Sequence, residues 1–311
     1  RCQSSSCQCQ VQTGPGNSEV ELHSGAVMET HELVSYQSLG TERGLVLTYG
    51  SLRADARPIL HFGYDNVQAN PNRRLVAELS VRQEDFEYQV PGFEGGAFGL
   101  DGGEHFWALP SGGGEVEAAL QADLRTFDSG VYDYDLTTGL LQLNNGLFSG
   151  ATTTSSGKFL HVNTVDSMFG SGWGLAGVQE LIENADGSVL LIDGDGSEML
   201  FEGSVNSNAP YASPEGDFST LEKLADGTFR RTMTDQMVYQ FDDQNRLVSV
   251  TDRNGNETRH VYNDAGQLTK IIDPVKLETT FTYTDNRVTT ITDPTGRETT
   301  LKYDDEGTRE R

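Results

Sequence analysis

One short pattern recurs near the C-terminal end of the 311-residue chain and constrains the fold more than any other feature. An aromatic residue, followed in each copy by an Asp one or two positions later, returns after 21, 21 and 20 residues, at Phe241, Tyr262, Tyr283 and Tyr303. A period near 20 residues indicates supersecondary units that cannot bury an apolar face alone and must stack on their neighbours. The sequence therefore predicts a repeat array over residues 241–303.

The other positions of the pattern also keep their character from copy to copy. One position is apolar and is occupied by Leu247, Leu268 and Val288. Another opens a turn and is occupied by Asp252, Asp273 and Asp293. Asp suits this position because its side chain bonds to nearby backbone N–H groups in turns. These residues and the four aromatics are the predicted structural positions of the repeat.

The chain as a whole predicts an all-β protein of about two domains. It has 35 glycines, many turn dipeptides, and no long segment with apolar residues at helical spacing. The net charge of −25 disfavours nucleic acid and anionic membranes as partners and is typical of a solvated extracellular surface. No apolar run approaches the ~18 residues that a membrane span needs, so membrane insertion is not expected. The first residue is Arg1 rather than Met, from which we expect a processed product or part of a longer protein.

Three cysteines stand together at the start of the chain, namely Cys2, Cys7 and Cys9. An odd, clustered set cannot cross-link the body of a fold. A zinc site is not expected because the nearest histidine is His23. We predict one local disulfide and a thiol that pairs with another chain or a preceding module.

Changes of composition along the chain predict three parts. Residues 1–16 are rich in Gln, Ser and Gly and indicate a flexible leader. Residues 17–160 contain short alternating segments, such as Tyr132, Tyr134 and Leu136 on one strand face, and predict a β-sandwich. Residues 161–311 contain the repeats and a preceding glycine-rich segment.

That glycine-rich segment, residues 166–177, is called the lead-in motif below. Phe169, Gly170, Gly172 and Trp173 are its candidate structural residues. Closely spaced glycines around one tryptophan predict close backbone packing about a buried indole. Hairpin turns are predicted after it at 186–187 and 226–227, both Asp-Gly.

The aromatic-Asp pattern resembles the YD, or RHS, repeats of bacterial RHS proteins, insecticidal toxin-complex shells and animal teneurins. The lead-in motif resembles the start of such an array, and residues 47–54 and 129–134 resemble the sandwich plug of teneurin-like members. The resemblance implies a β-sheet ribbon that spirals into a hollow barrel. It also implies that the protein encloses a C-terminal toxin or presents an adhesion surface.

The array differs from that family pattern in its length. About three full repeats are present and the chain stops within a fourth, so we expect an open strand edge that pairs with continuing repeats or another copy. Asp-Pro pairs at 273–274 and 293–294 faintly resemble the family's self-cleavage signature. They occupy the turn position of the repeat, and we assign them to turn structure.

No residue pattern indicates catalysis or a cofactor. Fragments of a calcium loop occur at Asp193, Asp195, Ser197 and Glu198, but the full spacing is missing and a hairpin turn is favoured. His260 takes a position filled by Phe281 and Leu301 in other repeats and is expected to be a packed wall residue. The leading hypothesis is a non-enzymatic extracellular or cell-surface scaffold. The alternative is a self-assembling adhesin or filament subunit that recognises a cell-surface protein, or glycans through the repeat tyrosines.

Overall fold

A computed structural model describes residues 8–12, 17–21, 25–33, 35–84, 86–91, 104–145, 147–203 and 210–304. Over these residues the protein has 27 strands and one four-residue helix, which confirms the all-β prediction. No helix in this part of the chain is long and apolar enough to cross a membrane. Two compact units are present, one made of residues 1–55 and 162–311 and the other of residues 56–161. Cys2, Cys7 and the side chain of Cys9 lie outside the described part, so the disulfide stays a prediction.

The first unit begins with six strands and a helical turn. They are β1 (Gln8–Gln12), β2 (Asn17–Glu21), β3 (Val27–Glu32), β4 (Tyr36–Ser38), β5 (Thr41–Arg43), β6 (Val46–Gly50) and α1 (Ser51–Ala54). Strands β1, β2, β3 and β6 pair antiparallel in that order, and β4 and β5 form a separate hairpin. The prediction of a flexible leader over residues 1–16 is therefore wrong for residues 8–12. Backbone pairing at the edge of β2 needs no apolar side chains, so the Gln-rich composition gave no strand signal.

The second unit contains eight strands that form two sheets. They are β7 (Ile59–Val67), β8 (Arg73–Gln83), β9 (Phe86–Gln89), β10 (Glu104–Ala108), β11 (Gly114–Gln121), β12 (Gly130–Asn144), β13 (Leu147–Ser149) and β14 (Thr153–His161). β8 and β12 are central to the larger sheet, and β7 pairs with β11 in the smaller one. The two sheets bury a shared core that includes Leu79, Leu120, Tyr132 and Leu136. This unit has the layered packing of a β-sandwich.

The sandwich is shorter than the sequence predicted. Residues 17–55, which we assigned to it, belong to the other compact unit. Their last strand, β6, pairs with Trp173–Leu175, and Leu47 is buried in a cluster with Phe169 and Trp173. The predicted boundary at residue 17 is corrected to residue 56 because the apolar face of β6 is covered by the lead-in motif.

Four strands follow the sandwich in the first unit. They are β15 (Trp173–Leu175), β16 (Gln179–Glu183), β17 (Val189–Asp193) and β18 (Glu198–Phe201). β15 completes the sheet that contains β6, while β16, β17 and β18 form an antiparallel meander. The predicted Asp186-Gly187 turn joins β16 to β17, and Gly187 has the left-handed φ of 82° that this turn requires.

The repeats form one nine-stranded antiparallel sheet in chain order. Its strands are β19 (Thr220–Lys223), β20 (Phe229–Thr232), β21 (Val238–Phe241), β22 (Leu247–Thr251), β23 (Glu257–Tyr262), β24 (Leu268–Ile272), β25 (Glu278–Thr284), β26 (Arg287–Thr292) and β27 (Glu298–Thr300). Each repeat unit contributes two strands, one ending at or beside its aromatic residue and one beginning at or beside its apolar residue. Every strand therefore pairs with its neighbours in sequence, as expected for a meander.

Candidate functional site

The aromatic and apolar positions of the repeat face each other across neighbouring strands. Phe241 pairs with Leu247, Tyr262 with Leu268, and Tyr283 with Val288. At each of these pairs the register shifts by one residue, which makes a β-bulge in the second strand. A bulge bends its strand and increases the local twist. One bulge per repeat therefore curves the ribbon by a regular increment.

The repeat tyrosines also link successive units through their hydroxyl groups. Tyr262 donates to the carbonyl oxygen of Leu247 at 2.9 Å, and Tyr303 donates to that of Val288 at 2.6 Å. Burial raises the pKa of Tyr262 above its ordinary value, which keeps the hydroxyl protonated and able to donate. These rings are half-buried against the core, and glycan recognition through them stays a prediction.

The Asp positions form the turns that the sequence predicted. Each carboxylate accepts hydrogen bonds from the backbone N–H groups two and four residues later, at 2.8–2.9 Å, in Asp252, Asp273 and Asp293. Burial alone would raise the pKa of Asp293, but hydrogen bonds from Arg297 and Thr295 outweigh it and hold the pKa well below the usual range. Both Asp-Pro pairs lie in these hairpin turns.

The first part of the ribbon closes on itself as a small barrel. Pairing runs from β16 through β17 and β18 to residues 211–212, then through β19, β20 and β21 to β22. The ring is completed by a bridge between Glu180 of β16 and Arg246 beside β22. The N–H of Leu181 donates to the carbonyl of Asn245 at 3.0 Å across the same seam. The ribbon has therefore made one full turn when it reaches β22.

The interior of this barrel is filled with side chains. Each strand contributes at least one buried apolar residue, namely Leu181, Val189, Leu191, Phe201, Leu221, Phe229, Phe241 and Leu247. The buried guanidinium of Arg231 lies over the ring of Phe201, donates to Ser219 at 2.8 Å and forms an ion pair with Asp217 at 3.4 Å. The interior of this barrel is therefore a packed core rather than a channel.

The later repeats are covered by a different layer. Residues 35–49 lie against β24–β27, where Leu47 clusters with Leu268, Phe281 and Ile291. Ser38 of the β4–β5 hairpin donates to the buried carboxylate of Asp273. Arg297 donates to the carbonyl of Ser35 at 2.7 Å. The N-terminal hairpin is thus fastened to two successive repeat turns.

The lead-in motif has the close packing that its glycines predicted. Phe169 and Trp173 are buried, and the indole contacts the rings of His31 and Tyr49 with centroids 4.9 and 5.4 Å away. A Cβ atom at residue 172 would lie 2.5 Å from the Cβ of Ala54, and one at residue 174 would lie 2.4 Å from a backbone oxygen of residue 194. Gly170 and Gly172 also have left-handed φ angles of 103° and 78°. The motif needs glycine for both space and conformation.

A cavity of about 570 Å³ lies within the first unit next to this motif. Its walls include Tyr49, Met168, Trp173 and Leu268, so they are mainly apolar. Glu180 extends into this space, where partial removal from water raises its pKa, although the charge of Arg53 opposes the shift. Volume and lining are those of a small-ligand site.

The chemistry considered from the sequence resolves into structural roles. Asp193 accepts from the N–H of Gly177 and from Gln179, and Asp195 accepts from Ser197, so these carboxylates form a turn. Glu198 pairs with Arg53 at 2.9 Å. Among the described residues, no group of three or more His, Cys, Asp or Glu side chains could hold a metal ion.

His260 packs in the wall of the array, as its repeat position indicated. It lies on β23 opposite Ile271 and is 8% exposed. Its Nδ1 has no hydrogen-bond partner among the residues that the structure describes. Burial lowers the pKa of His260 to about 4, so the ring is neutral at physiological pH.

Three features of this region were not found from the sequence. They are the barrel seam at Glu180 and Arg246, the cover formed by residues 35–49, and the cavity. Each joins segments far apart in the chain, and short-range patterns contain no information about such pairing. The one local signal was the short apolar run from Leu45 to Leu47, which indicates a strand but not its partner.

Comparison with known proteins gives a family match within the repeats and matches to relatives over about a third of the chain. Residues 241–276 and 262–292 match the family described as RHS Repeat. The chain is 32% identical over 108 residues to the tRNA3(Ser)-specific nuclease WapA of Bacillus spizizenii, and 31% identical over 108 residues to the tRNA nuclease WapA of Bacillus subtilis. Each match covers 35% of this chain but 4% of the relative, so the chain spans a small part of those proteins. Together with the repeat geometry, the family match identifies residues 241–292 as RHS, or YD, repeats.

Proposed function

We propose that this chain is a non-enzymatic structural scaffold that forms the closed beginning of an RHS shell, at the cell surface or outside the cell. The observation that carries the proposal is the barrel seam between Glu180 and Arg246. A ribbon that closes after one turn around a solid core, and then continues with the same repeat, forms the closed end of a spiral. The filled barrel is its floor, and the cavity beside the lead-in motif lies above that floor.

The relatives' names support a toxin-associated context for the scaffold. Two of them are named as tRNA nucleases, and each is matched over 4% of its length. In the proposed arrangement, residues 162–304 supply wall and floor, and any nuclease activity belongs to another part of such a protein. The carboxylates of Asp193, Asp195 and Glu198 are consistent with that division because they are held in turns and an ion pair.

The test uses the 311-residue chain and the complete protein encoded by its reading frame. We expect the chain alone to leave tRNA intact over hours, and electron cryo-microscopy of the complete protein to reveal a hollow β-shell whose closed end is formed by residues 179–251. Cleavage of tRNA by the chain alone would overturn the non-enzymatic role. An open sheet or a filament at the Glu180–Arg246 seam would overturn the shell and favour the self-assembling alternative.

A further inference from the structure

The cavity described above has no assigned ligand, and its charges are unevenly satisfied. Five carboxylates line it, those of Asp166, Glu180, Asp193, Asp195 and Glu198, against two cations, Arg53 and Arg246. Both cations already hold a carboxylate: Arg53 pairs with Glu198 at 2.9 Å, and Arg246 pairs with Asp242 at 2.6 Å. An anionic ligand would therefore meet no uncommitted positive charge in the cavity wall.

The carboxylate of Glu180, unlike the two arginines, is not committed to an ion pair within the described part of the chain. Its side chain is exposed where it lines the cavity, and its carboxylate has no hydrogen bond or ion pair among the described residues. The charge of Arg53 acts on Glu180 from a distance, because Arg53 is already paired with Glu198. The backbone bridge to Arg246 fixes the position of Glu180, so its carboxylate is an uncommitted acceptor beside the cavity.

A second acceptor in the same wall is independent of that charge. Gln179 is 7% exposed and lines the cavity, and its amide nitrogen donates to Asp193 at 2.9 Å. Its Oε1 has no hydrogen-bond partner among the described residues. Buried polar atoms are almost always paired, so an unpaired acceptor beside a cavity indicates a donor that occupies the space.

The remaining lining defines the body of the ligand. Tyr49, Met168, Trp173, Tyr262 and Leu268 give aromatic and aliphatic surface. Aromatic faces attract organic cations as well as apolar groups. A cavity of about 570 Å³ lies within the range of sites for small organic molecules and single side chains.

We propose that this cavity binds an organic cation, a primary ammonium or guanidinium on an apolar body, with Glu180 as its counter-ion. The same chemistry occurs in a free amine and in a lysine or arginine side chain of a polypeptide. The inference is independent of the scaffold role, because a shell floor could be solid and closed without binding any cation.

The first experiment uses Trp173 as the reporter. The chain has two tryptophans, so a Trp107→Phe background leaves only the one in the cavity wall. Phenethylammonium is titrated at pH 7.5 beside its anionic and neutral counterparts, 3-phenylpropionate and 2-phenylethanol. We expect saturable fluorescence change with phenethylammonium at an affinity at least tenfold above both counterparts. Equal binding of the three compounds, or no binding of the amine up to 10 mM, would overturn the proposal.

Variants then locate the charge that is recognised. Glu180→Gln is expected to reduce the affinity for phenethylammonium to that for 2-phenylethanol, while Glu202→Gln, an exposed glutamate outside the cavity, leaves it unchanged. An unchanged affinity in Glu180→Gln would contradict the assignment. If that variant does not fold, amide shifts of Gly172 and Gly174 in the unsubstituted chain serve instead: they must move with the amine and not with the anion.

A final comparison distinguishes the two sources of the cation. A doubly capped Phe-Lys dipeptide is compared with capped Phe-norleucine in the same assay. Stronger binding of Phe-Lys than of phenethylammonium assigns the site to a polypeptide side chain, and weaker binding assigns it to a free amine. Equal binding of Phe-Lys and Phe-norleucine would contradict recognition of the ammonium group.

Discussion

The hydroxyl of Tyr283 donates a 2.8 Å hydrogen bond to the backbone carbonyl of Leu268, fifteen residues earlier in the chain. Tyr262 and Tyr303 make the same bond to Leu247 and Val288. The first aromatic of the series, Phe241, has no hydroxyl and is 1% exposed inside the plugged barrel. The repeat tyrosine thus links successive units by a hydrogen bond, which is called the tyrosine tie below. Phenylalanine fills the same position inside the barrel, where closure of the sheet joins the strands.

Tyr283→Phe tests the energetic weight of that tie. The substitution keeps the ring but leaves the carbonyl of Leu268 without its donor, so we expect the free energy of unfolding to fall by about 1–2 kcal/mol. Urea denaturation followed by circular dichroism measures it. Tyr239→Phe is the control, because within the described residues the Tyr239 hydroxyl donates to the sulfur of Met237 alone, and its loss should cost much less. Equal losses in both variants would contradict the tie.

His260 is expected to make the array sensitive to acid. Its pKa is about 4 in the folded state against an ordinary value of 6.5, so the unfolded chain binds a proton more readily between these values. Stability therefore falls as the pH drops from 6.5 towards 4, by up to about 3 kcal/mol if the full difference applies.

His260→Phe removes this titration and supplies the ring that Phe281 provides in the next repeat. We expect the stability difference between pH 7 and pH 4.5 to be smaller in the variant than in the unsubstituted chain, with carboxylates contributing equally to both. Urea midpoints at the two pH values give the comparison. A parallel loss in the two proteins would exclude His260 as the acid-sensitive group.

The contact between Ser38 and Asp273 is expected to hold the N-terminal hairpin on the repeats. Asp273 is 2% exposed and receives donors from its own turn and from Ser38. Asp273→Ala should lower the free energy of unfolding by about 2–4 kcal/mol, because the N–H groups of Val275 and Leu277 and the hydroxyl of Ser38 lose their acceptor.

Two further variants separate the turn from the hairpin contact. Ser38→Ala should cost about 1–2 kcal/mol, since the turn itself stays intact. Asp243→Ala, at the exposed neighbour of a repeat aromatic, should be nearly neutral. Hydrogen exchange at residues 36–43 should accelerate in Ser38→Ala. Unchanged protection there would show that this hydrogen bond does not fasten the hairpin.

Gly174→Ala tests the close packing of the lead-in motif. The added Cβ would lie 2.4 Å from a backbone oxygen of residue 194, which cannot move without displacing the adjoining turn. We expect a loss of about 3 kcal/mol or more in the free energy of unfolding. Gly112→Ala is the matched control, because no heavy atom lies within 4 Å of its added Cβ. A thermal scan of both variants distinguishes a local clash from a general effect of alanine.

The sequence predicted those features that depend on neighbouring residues. The period gave the β-strands of the repeats, Asp273 and Asp293 gave their turns, and Trp173 with its glycines gave a buried, closely packed motif. Tertiary pairing was not accessible in the same way. Nothing near Glu180 indicates that it meets Arg246, because the bridge depends on how many strands complete a turn of the ribbon. The same reason explains why residues 17–55 were assigned to the sandwich rather than to the repeats.

The seam at Glu180 and Arg246 has a consequence for how proteins of this kind can vary in size. In the proposed shell, the diameter of the ribbon spiral is set where the ribbon first closes on itself. Later repeat units continue the spiral at that diameter. Each additional unit of about 21 residues then lengthens the spiral and leaves the closed end unchanged. The enclosed volume of the proposed shell would therefore change by duplication or deletion of whole units, while a change of diameter would require a different first turn.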